Sequence, residues 1–320
     1  MLNDDTGATA PLLHALLTCP LEEIARPMDD FDAWRDVWET AGRDWAQPIE
    51  RCVWAGLRCD RLAWAFFTGY QEAIRRLFPG LPATTICAMA ITEAGGNHPR
   101  EIRTCIVPAD RGYRLNGEKR FITGGAHAER LFVAASTGIK DGRNRIRVVQ
   151  VDRNAAGLTV SAMPPMPFIP EISHGTVLFE DVFVPSEQVV EGDGYTGMIK
   201  PFRTIEDLHI TGAVLGHLLG AARRFGWPTE IVEQVSILFV AVCALDCQDP
   251  TSPATHVAAG GLFRQVDALI AAVDPLLSGA DSETARRWAR DKPVLKVADK
   301  VRKLRLETAW RHYGRLAVNR

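Results

Sequence analysis

The middle third of the chain has a hydrophobic period that differs from the period on either side of it. Before residue 83 and after about residue 195, apolar residues recur every three or four positions, which is the spacing of amphipathic helices. Between these points, short apolar-polar alternations are separated by turn residues, which predicts strands. Strands at this spacing favour a β-barrel or a β-sandwich. The predicted strands are 86–92, 102–107, 112–115, 119–122, 131–136, 145–151, 158–162 and 176–184.

The predicted elements segregate by type along the chain. Helices occupy residues 1–82, strands occupy 83–193 and helices return over 194–320. Segregated elements of this kind are typical of an α+β fold. We therefore predict an N-terminal helical domain, a middle antiparallel β-barrel or sandwich domain and a C-terminal helical bundle, with these boundaries.

One turn signal lies inside the β-segment. Asn116-Gly117 separates the runs 112–115 and 119–122. This dipeptide between two strand-like runs is a strong signal for a two-residue β-hairpin. The sequence therefore predicts that the two runs are separate strands that pair through this turn.

The composition is that of an ordinary globular protein and excludes several classes of function. A net charge of −2 argues against nucleic acid as a partner of the whole chain. The seven cysteines lack the spacing of a metal site, so we expect no metal and free thiols in a reducing compartment. Asp4 and Asp5 replace the basic start of a signal peptide, and the longest apolar run, 235–245, is shorter than the ~20 residues of a membrane span. We predict a cytoplasmic protein with neither a membrane nor a nucleic-acid partner.

Three motifs of the β-segment occur in a fixed order. Thr92-Glu93 ends the first strand-like run and is followed by the turn Ala94-Gly95-Gly96. Phe121-Ile122-Thr123-Gly124 ends a later run, and residues 179–185, Phe-Glu-Asp-Val-Phe-Val-Pro, read as a last strand and an exit turn. This order resembles the middle β-domain of the acyl-CoA dehydrogenases, the flavoenzymes that desaturate acyl thioesters.

The resemblance implies a non-covalently bound FAD. In the family, the strand that ends in Thr-Glu contacts the flavin pyrimidine, and the aromatic-Ile-Thr segment lies against the dimethylbenzene side and N5. Thr123 is thereby expected to hydrogen-bond N5, and His98 stands where a Ser usually contacts the flavin phosphate or the substrate. The cofactor-binding residues that the resemblance implies are Met89, Ile91, Thr92, His98, Phe121, Ile122 and Thr123.

Two segments depart from the family's pattern. Residues 94–99 read Ala-Gly-Gly-Asn-His-Pro, and the alternative interpretation of this stretch is a tight turn with no role in binding. Pro170 stands where the family carries an Arg that helps to bind cofactor or substrate. The loop 164–170 is therefore a place where this chain differs from the family.

The reaction of the family needs a carboxylate that removes the α-proton of the thioester while hydride leaves Cβ for flavin N5. The resemblance places this base on the first helix after the β-domain, at Glu206. Phe202 and Ile210 lie four residues before and after Glu206, so it falls on an apolar stripe. Asp207 falls on a polar stripe. We predict that Glu206 points inward as the catalytic base and Asp207 outward; the alternative is a core-edge Glu206 paired with Arg203.

Three functions remain open at this point. The leading one is an FAD-dependent dehydrogenase of an acyl thioester carried by CoA or an acyl carrier protein, with an electron acceptor such as an electron-transfer flavoprotein. The second is a related flavin oxidase or monooxygenase, because relatives of this fold perform both reactions. The third is a non-catalytic subunit that has lost FAD and pairs with a full-length homologue.

The C-terminal segment is basic. Residues 282–320 contain twelve Lys/Arg and four Asp/Glu. The segment is interpreted either as a solvated helix face or as a patch for an acidic partner, such as a carrier protein or a CoA phosphate. An apolar stripe on the same segment predicts a homodimer or tetramer, and the alternative is that the stripe packs within its own subunit. The stripe is Val294, Val297, Val301, Leu304 and Thr308.

Overall fold

The computed structural model describes residues 9–314, which divide into a helical unit and a β-unit. The helical unit contains the described residues up to Arg76, the short segment Pro167–Glu171 and the described residues from Thr204 onward. The β-unit contains Leu77–Met166 and Ile172–Arg203. The predicted N-terminal and C-terminal helical segments thus contribute to the same unit. No helix in the described range is both long and apolar enough to cross a membrane.

Helices before the strands and helices after them follow the predicted order. The first group contains amphipathic helices such as α3, which begins with Gln47 and Glu50 bonding each other's backbone in a capping box. The second group begins with α5, a helix of 26 residues. The helices are α1 (Thr9–Thr18), α2 (Phe31–Asp44), α3 (Pro48–Arg58), α4 (Leu62–Leu77), α5 (Lys200–Phe225), α6 (Thr229–Asp246), α7 (Pro253–Ser278), α8 (Ser282–Asp291) and α9 (Asp299–His312).

Helix α5 runs through the core of the helical unit because glycines allow its neighbours to approach closely. A Cβ atom at Gly216 of α5 would lie 2.2 Å from the carbonyl oxygen of Val53 in α3. A Cβ atom at Gly56 of α3 would lie 2.2 Å from the carbonyl oxygen of Ala213 in α5. Both distances are far below van der Waals contact, so these positions accept only glycine without a shift of a helix. The backbone of α5 is therefore held firmly in place.

The β-unit is a mixed sheet. Its strand order is β1-β4-β2-β3-β7-β6. β5 lies outside this order and also pairs with β4. β1 and β2 run parallel to β4, and the remaining pairs are antiparallel. The strands are β1 (Cys87–Ala90), β2 (Cys105–Ala109), β3 (Gly112–Thr123), β4 (Arg130–Lys140), β5 (Arg143–Asp152), β6 (Leu158–Ala162) and β7 (His174–Pro185).

The α+β class and the helix–strand–helix order are confirmed, and the β-domain is a mixed half-barrel with a core on one of its faces. Apolar side chains from all the long strands meet on that face, among them Leu115, Leu131, Val149 and Phe179. Alternation in the sequence fixes which side chains share a face, but it does not fix strand direction. The two parallel pairings were therefore not predictable from the pattern.

The predicted hairpin at Asn116-Gly117 is wrong. Gly112–Thr123 is one continuous strand, and the two-residue turn is Asp110-Arg111, between β2 and β3. Gly117 has a φ of +138°, and a Cβ atom there would lie 2.6 Å from Cα of Thr104. The Asn116 side chain accepts a hydrogen bond from the amide of Asp181 at 2.8 Å, opposite a bulge of β7. The dipeptide therefore lies opposite a bulge, at a point where two backbone segments approach closely. Bulges and close approaches favour the same residue types as a turn, so the sequence pattern does not distinguish them.

Candidate functional site

The structure brings together the first two of the three motifs in the β-segment, the one at Thr92-Glu93 and the one at Phe121-Ile122-Thr123. The amide of Arg120 donates to the carbonyl oxygen of Thr92 at 2.9 Å. The Lys119 ammonium donates to the carbonyl oxygen of Ile91 at 3.1 Å and to the Glu93 carboxylate at 2.7 Å. The segment that leaves β1 therefore lies directly against the end of β3, although the two are almost thirty residues apart in the chain.

The ion pair between Glu93 and Lys119 is buried in the β-unit. The Lys119 side chain is fully buried, and burial lowers its pKa to about 8 against the opposing effect of the Glu93 carboxylate. Burial by itself would raise the pKa of Glu93. Hydrogen bonds from Lys119 and from the amides of Arg103 and Thr104 outweigh that effect and hold the pKa of Glu93 below its ordinary value. Sequence reasoning missed Lys119, because a Lys in a strand is ordinarily a solvent-facing residue.

The glycine-rich turn is shaped by the same carboxylate. Glu93 and Gly96 exchange both backbone hydrogen bonds, at 2.9 and 3.0 Å, which closes a tight turn over Ala94 and Gly95. The Glu93 side chain then accepts from the far end of the loop, at Arg103 and Thr104. One side chain thus ties the start of the loop to its end. His98, at the exposed tip, accepts a hydrogen bond from the amide of Arg100 through Nδ1.

Phe121 is held in a strained backbone conformation with its ring exposed. Its φ is +57°, a region that an aromatic residue rarely occupies. Phe121 lies in a bulge of β3, between the pairings of Lys119 and Ile122 with β7, and its side chain is 51% exposed. A bulge changes the direction in which a side chain points. An exposed apolar ring at such a position is typical of a ligand-binding or protein-binding surface. The next residue, Ile122, points the other way into the core of the sheet.

Of the other residues of the implied flavin site, Met89 lies on β1, Ile91 and Thr92 follow β1, and Ile122 and Thr123 follow Phe121 on β3. Met89 is buried in β1, at the edge of the sheet, and Ile91 and Thr92 are half-buried after it. The half-buried hydroxyls of Thr92 and Thr123 make no hydrogen bond to any residue in the range 9–314. A flavin needs a flat apolar wall and hydrogen-bond partners at its edge. An exposed aromatic ring beside two available hydroxyls fits those needs, and Ile122 can contribute only through its backbone.

Ser173, just before β7, and His174, its first residue, lie beside the end of β3 and were not predicted. The Ser173 carbonyl accepts from the amide of Gly124 at 2.7 Å, and its hydroxyl accepts from the amide of Ala126 at 3.3 Å. His174 pairs with Thr123 across the sheet, and burial lowers the pKa of its imidazole. Nothing in the sequence pattern distinguished these residues, because their position follows from the pairing of β7 with β3.

The loop that departs from the family at Pro170 is anchored within the helical unit. Glu171 accepts hydrogen bonds from Arg61 at 3.0 Å and from Arg290 at 2.7 Å. The amide of Ile169 donates to the fully buried Asp291 at 2.8 Å. A network of paired charges therefore fixes this loop where the family carries an Arg.

Glu206 lies on the wall of a cavity in the helical unit. The cavity has a volume of about 140 Å³ and is enclosed by α4, α5, α7 and the segment before α9. Glu206 is half-buried. The lining of the cavity contains both apolar and charged side chains, and the charged ones are Glu206, Asp207, Asp267 and Arg302. The apolar lining includes Phe66, Ile210, Val214, Phe263 and Val294.

The predicted orientation of Asp207 is wrong. Its side chain is buried and accepts a hydrogen bond from Arg302 at 3.0 Å and another from Arg305. Arg305 also donates to the Thr204 hydroxyl, and Arg302 stacks on the ring of Phe263. The polar stripe of α5 therefore faces α9, because two guanidinium groups from the C-terminal segment neutralise it. That partnership spans 95 residues and leaves no local signal in the sequence.

The chain matches one domain family and several curated proteins over part of its length. The acyl-CoA dehydrogenase middle-domain family matches residues 88–182. Over 115 residues the chain is 28% identical to the L-prolyl-[peptidyl-carrier protein] dehydrogenase of a Serratia species, covering 36% of this chain and 30% of that protein. Over 137 residues it is 28% identical to the cyclohex-1-ene-1-carbonyl-CoA dehydrogenase of Geobacter metallireducens, covering 42% of this chain and 36% of that protein. The chain thus spans about a third of the length of these curated relatives.

A solved structure extends the similarity of the fold to nearly the whole chain. The butyryl-CoA dehydrogenase of Megasphaera elsdenii superposes with a TM-score of 0.71 at 16% identity, covering 97% of this chain and 98% of that one. Residues 88–182 thus belong to the acyl-CoA dehydrogenase middle-domain family, and the likeness to the solved structure shows that the whole chain shares its fold.

We expect Lys119→Met to lower the free energy of unfolding by about 3–5 kcal/mol, because it leaves the buried Glu93 carboxylate without its partner. The loss of stability relative to the parent protein should be largest near pH 7. It should shrink as the pH falls toward 4.5, the ordinary carboxyl value, because a protonated Glu93 no longer needs the ammonium. Chemical denaturation at both pH values measures this.

The double variant Glu93→Gln/Lys119→Met is the control for the loss of packing. It should recover part of the stability, since no uncompensated charge remains in the β-unit. If Lys119→Met and the double variant are equally unstable at pH 7, the pair does not hold the two segments together.

We expect Thr123→Val to weaken FAD binding or to slow flavin reduction by roughly 2- to 10-fold, the effect of one net hydrogen bond. The substitution keeps the shape and removes the hydroxyl expected to contact N5. Titration of the apoprotein with FAD and stopped-flow reduction measure it. Thr159→Val, at an exposed threonine of β6, is the matched control. Equal affinity and equal reduction rates in both variants would exclude the role of Thr123.

Proposed function

We propose that this protein is an FAD-dependent dehydrogenase that introduces an α,β double bond into an acyl thioester. The observation that carries the proposal is the position of Glu206 on the wall of a largely apolar cavity. This carboxylate occurs on the helix where the family resemblance places a catalytic base. The matched middle domain, with its Phe121-Ile122-Thr123 segment, supports the flavin half of the reaction.

Glu206 has the environment that removal of an α-proton requires. A thioester α-proton is weakly acidic, so its base must be partly desolvated for its basicity to rise toward that of the substrate. The apolar walls around Glu206 provide that desolvation. FAD, held by Met89, Ile91, Thr92, His98, Phe121, Ile122 and Thr123, would supply the acceptor for the hydride that leaves Cβ.

Asp207 has a different role from that of Glu206. Arg302 and Arg305 pair with the Asp207 carboxylate in the contact between α5 and α9. Because both ion pairs occupy this carboxylate, it takes no part in proton transfer. Arg302 lines the cavity of Glu206 while remaining bonded to Asp207. Asp207 therefore positions the wall of the cavity, and Glu206 provides the base.

The size of the cavity favours a compact acyl group. Its volume of about 140 Å³ is close to that of a ~150 Å³ cavity that accommodates benzene. Two of the relatives described above are named for compact cyclic acyl groups, prolyl and cyclohexene-carbonyl. We propose a short-chain or cyclic acyl thioester as the substrate class.

Glu206→Gln should keep the fold and the flavin and slow reduction by the thioester by ~10²–10⁴-fold, because it removes basicity and retains shape. Anaerobic stopped-flow absorbance measures the rate. Glu233→Gln, at an exposed carboxylate of α6, is the control, since Asp207→Asn would disturb a buried ion pair. If the flavin of the Glu206 variant is reduced at the parental rate, the catalytic base is another residue.

The fate of the electrons separates the dehydrogenase from the alternatives. We propose that they pass to a separate acceptor such as an electron-transfer flavoprotein. Rapid oxygen consumption during turnover would instead indicate the oxidase or monooxygenase. A protein that takes up no FAD would indicate the non-catalytic subunit.

We further propose a homodimer or tetramer that buries the exposed residues of the predicted apolar stripe, which begins before α9 and continues along it. Val294 packs within its own subunit, but Val297 is 66% exposed and Leu304 is 51% exposed. Leu304→Asp should dissociate the oligomer, as measured by light scattering at micromolar concentration. Ile237→Asp, at an equally exposed position on α6, is the matched control. A monomeric parent protein would contradict the proposal.

A further inference from the structure

His174 lies next to Thr123 on the face of the β-unit that carries the proposed flavin site. The two residues pair across β3 and β7. The neighbouring pair along these strands is Ile122 with Gly175, and Ile122 points into the core. Because side chains alternate between the two faces of a strand, Thr123 and His174 both point to the opposite face. Side chains that are directly opposed on one face lie close enough to contact the same ligand.

The burial of β7 shows the same alternation. Val177 and Phe179 are buried in the core of the sheet. Thr176 is half-buried and Leu178 is exposed, so these two lie on the other face. His174 falls in the same row as Thr176 and Leu178 and is half-buried. Its imidazole therefore lies outside the core, at a surface that the protein covers only in part.

One ring nitrogen of His174 is held by the backbone. Nδ1 lies 3.1 Å from the carbonyl oxygen of Ile172, two residues earlier in the chain. A carbonyl oxygen can only accept a hydrogen bond, so Nδ1 carries the hydrogen and donates it. In a neutral imidazole the other nitrogen, Nε2, is then an acceptor. The contact with Ile172 therefore fixes both the orientation of the ring and the role of Nε2.

The second ring nitrogen of His174 is available to a ligand. Nε2 makes no hydrogen bond and no ion pair with any residue of the described range 9–314. Burial lowers the pKa of the imidazole, and the hydrogen bond to the Ile172 carbonyl opposes this effect only in part. The ring is therefore neutral at pH 7, and Nε2 is an acceptor that is held in place beside Thr123.

The N5 atom of a flavin changes its hydrogen-bonding character when the flavin is reduced. In the oxidised ring N5 carries no hydrogen and accepts a hydrogen bond, whereas in the reduced ring N5 carries a hydrogen and donates one. The Thr123 hydroxyl can donate to the oxidised ring, and the neutral His174 ring can accept from the reduced ring. The two neighbouring side chains therefore complement the two states of one atom.

We propose that His174 is a further cofactor-binding residue, whose Nε2 accepts a hydrogen bond from N5–H of the reduced flavin and so stabilises the reduced state. The inference rests on the proposed function, since it assumes that FAD occupies the site around Phe121 and Thr123. A contact that only the reduced state makes raises the reduction potential. His174 thereby favours the transfer of electrons from the substrate to the flavin.

The test is the two-electron reduction potential of the FAD-loaded protein, measured against a redox dye. His174→Phe removes the acceptor and keeps an aromatic ring, whereas His174→Gln keeps an acceptor in its amide oxygen. His14→Phe, at an exposed histidine of α1, is the control for the same chemical change elsewhere. Calorimetric titration of each apoprotein with oxidised FAD completes the comparison.

His174→Phe should lower the potential, because the reduced state loses one net hydrogen bond. The affinity for reduced FAD relative to oxidised FAD should fall by about 2- to 10-fold, or about 9–30 mV at ~29.6 mV per tenfold change. His174→Gln should recover at least half of this shift, and His14→Phe should keep the parental potential. The proposal is overturned by a parental potential in His174→Phe, by a fall in His174→Gln as large as that in His174→Phe, or by an equal fall in the control.

The potential separates failure of this inference from failure of the proposed reaction, because the dye titration needs no thioester. If the protein binds FAD and no thioester bleaches it, the dehydrogenase proposal fails, and the potentials still decide the role of His174. A parent protein that takes up no FAD overturns both. If the phenylalanine ring itself prevents FAD uptake, His174→Ala removes the acceptor without added bulk and is measured in its place, with the same expected and contradicting results.

Discussion

The buried ion pair between Glu93 and Lys119 is the contact on which the proposed flavin site of the β-unit depends. Glu93 ties the glycine-rich turn to the start of β2, and Lys119 ties that turn to β3. Phe121 follows two residues after Lys119 and keeps an unfavourable φ of +57°. A strained backbone conformation of this kind persists only where several surrounding contacts hold it in place. Here the buried and fully hydrogen-bonded ion pair holds the backbone next to Phe121.

A second charge cluster organises the helical unit in a similar way. Asp207 binds Arg302 and Arg305 and so fixes α9 against α5. Arg302, which also stacks on Phe263, brings the same contact to the wall of the Glu206 cavity. The two adjacent carboxylates of α5 therefore have different roles. Glu206 lines the cavity proposed for the reaction, and Asp207 holds Arg302 in the wall of that cavity.

The sequence predicted the parts of this structure that local patterns encode. Hydrophobic period identified the helix–strand–helix order, and the order of the motifs around Thr92 and Phe121 identified the resemblance of this segment to the acyl-CoA dehydrogenase middle domain. The pattern failed where a distant contact overrides a local preference. Asn116-Gly117 has hairpin chemistry but serves a bulge, because Thr104 and Asp181 lie against it. Asp207 turns inward because its partners lie almost a hundred residues away.

The direct test of the central claim is an anaerobic absorbance titration of the FAD-loaded protein with thioesters of compact acyl groups. If the protein is a dehydrogenase, the oxidised flavin band should bleach in proportion to added thioester, with an enoyl product and no need for oxygen. A flavin that dithionite reduces but no thioester bleaches would contradict the account.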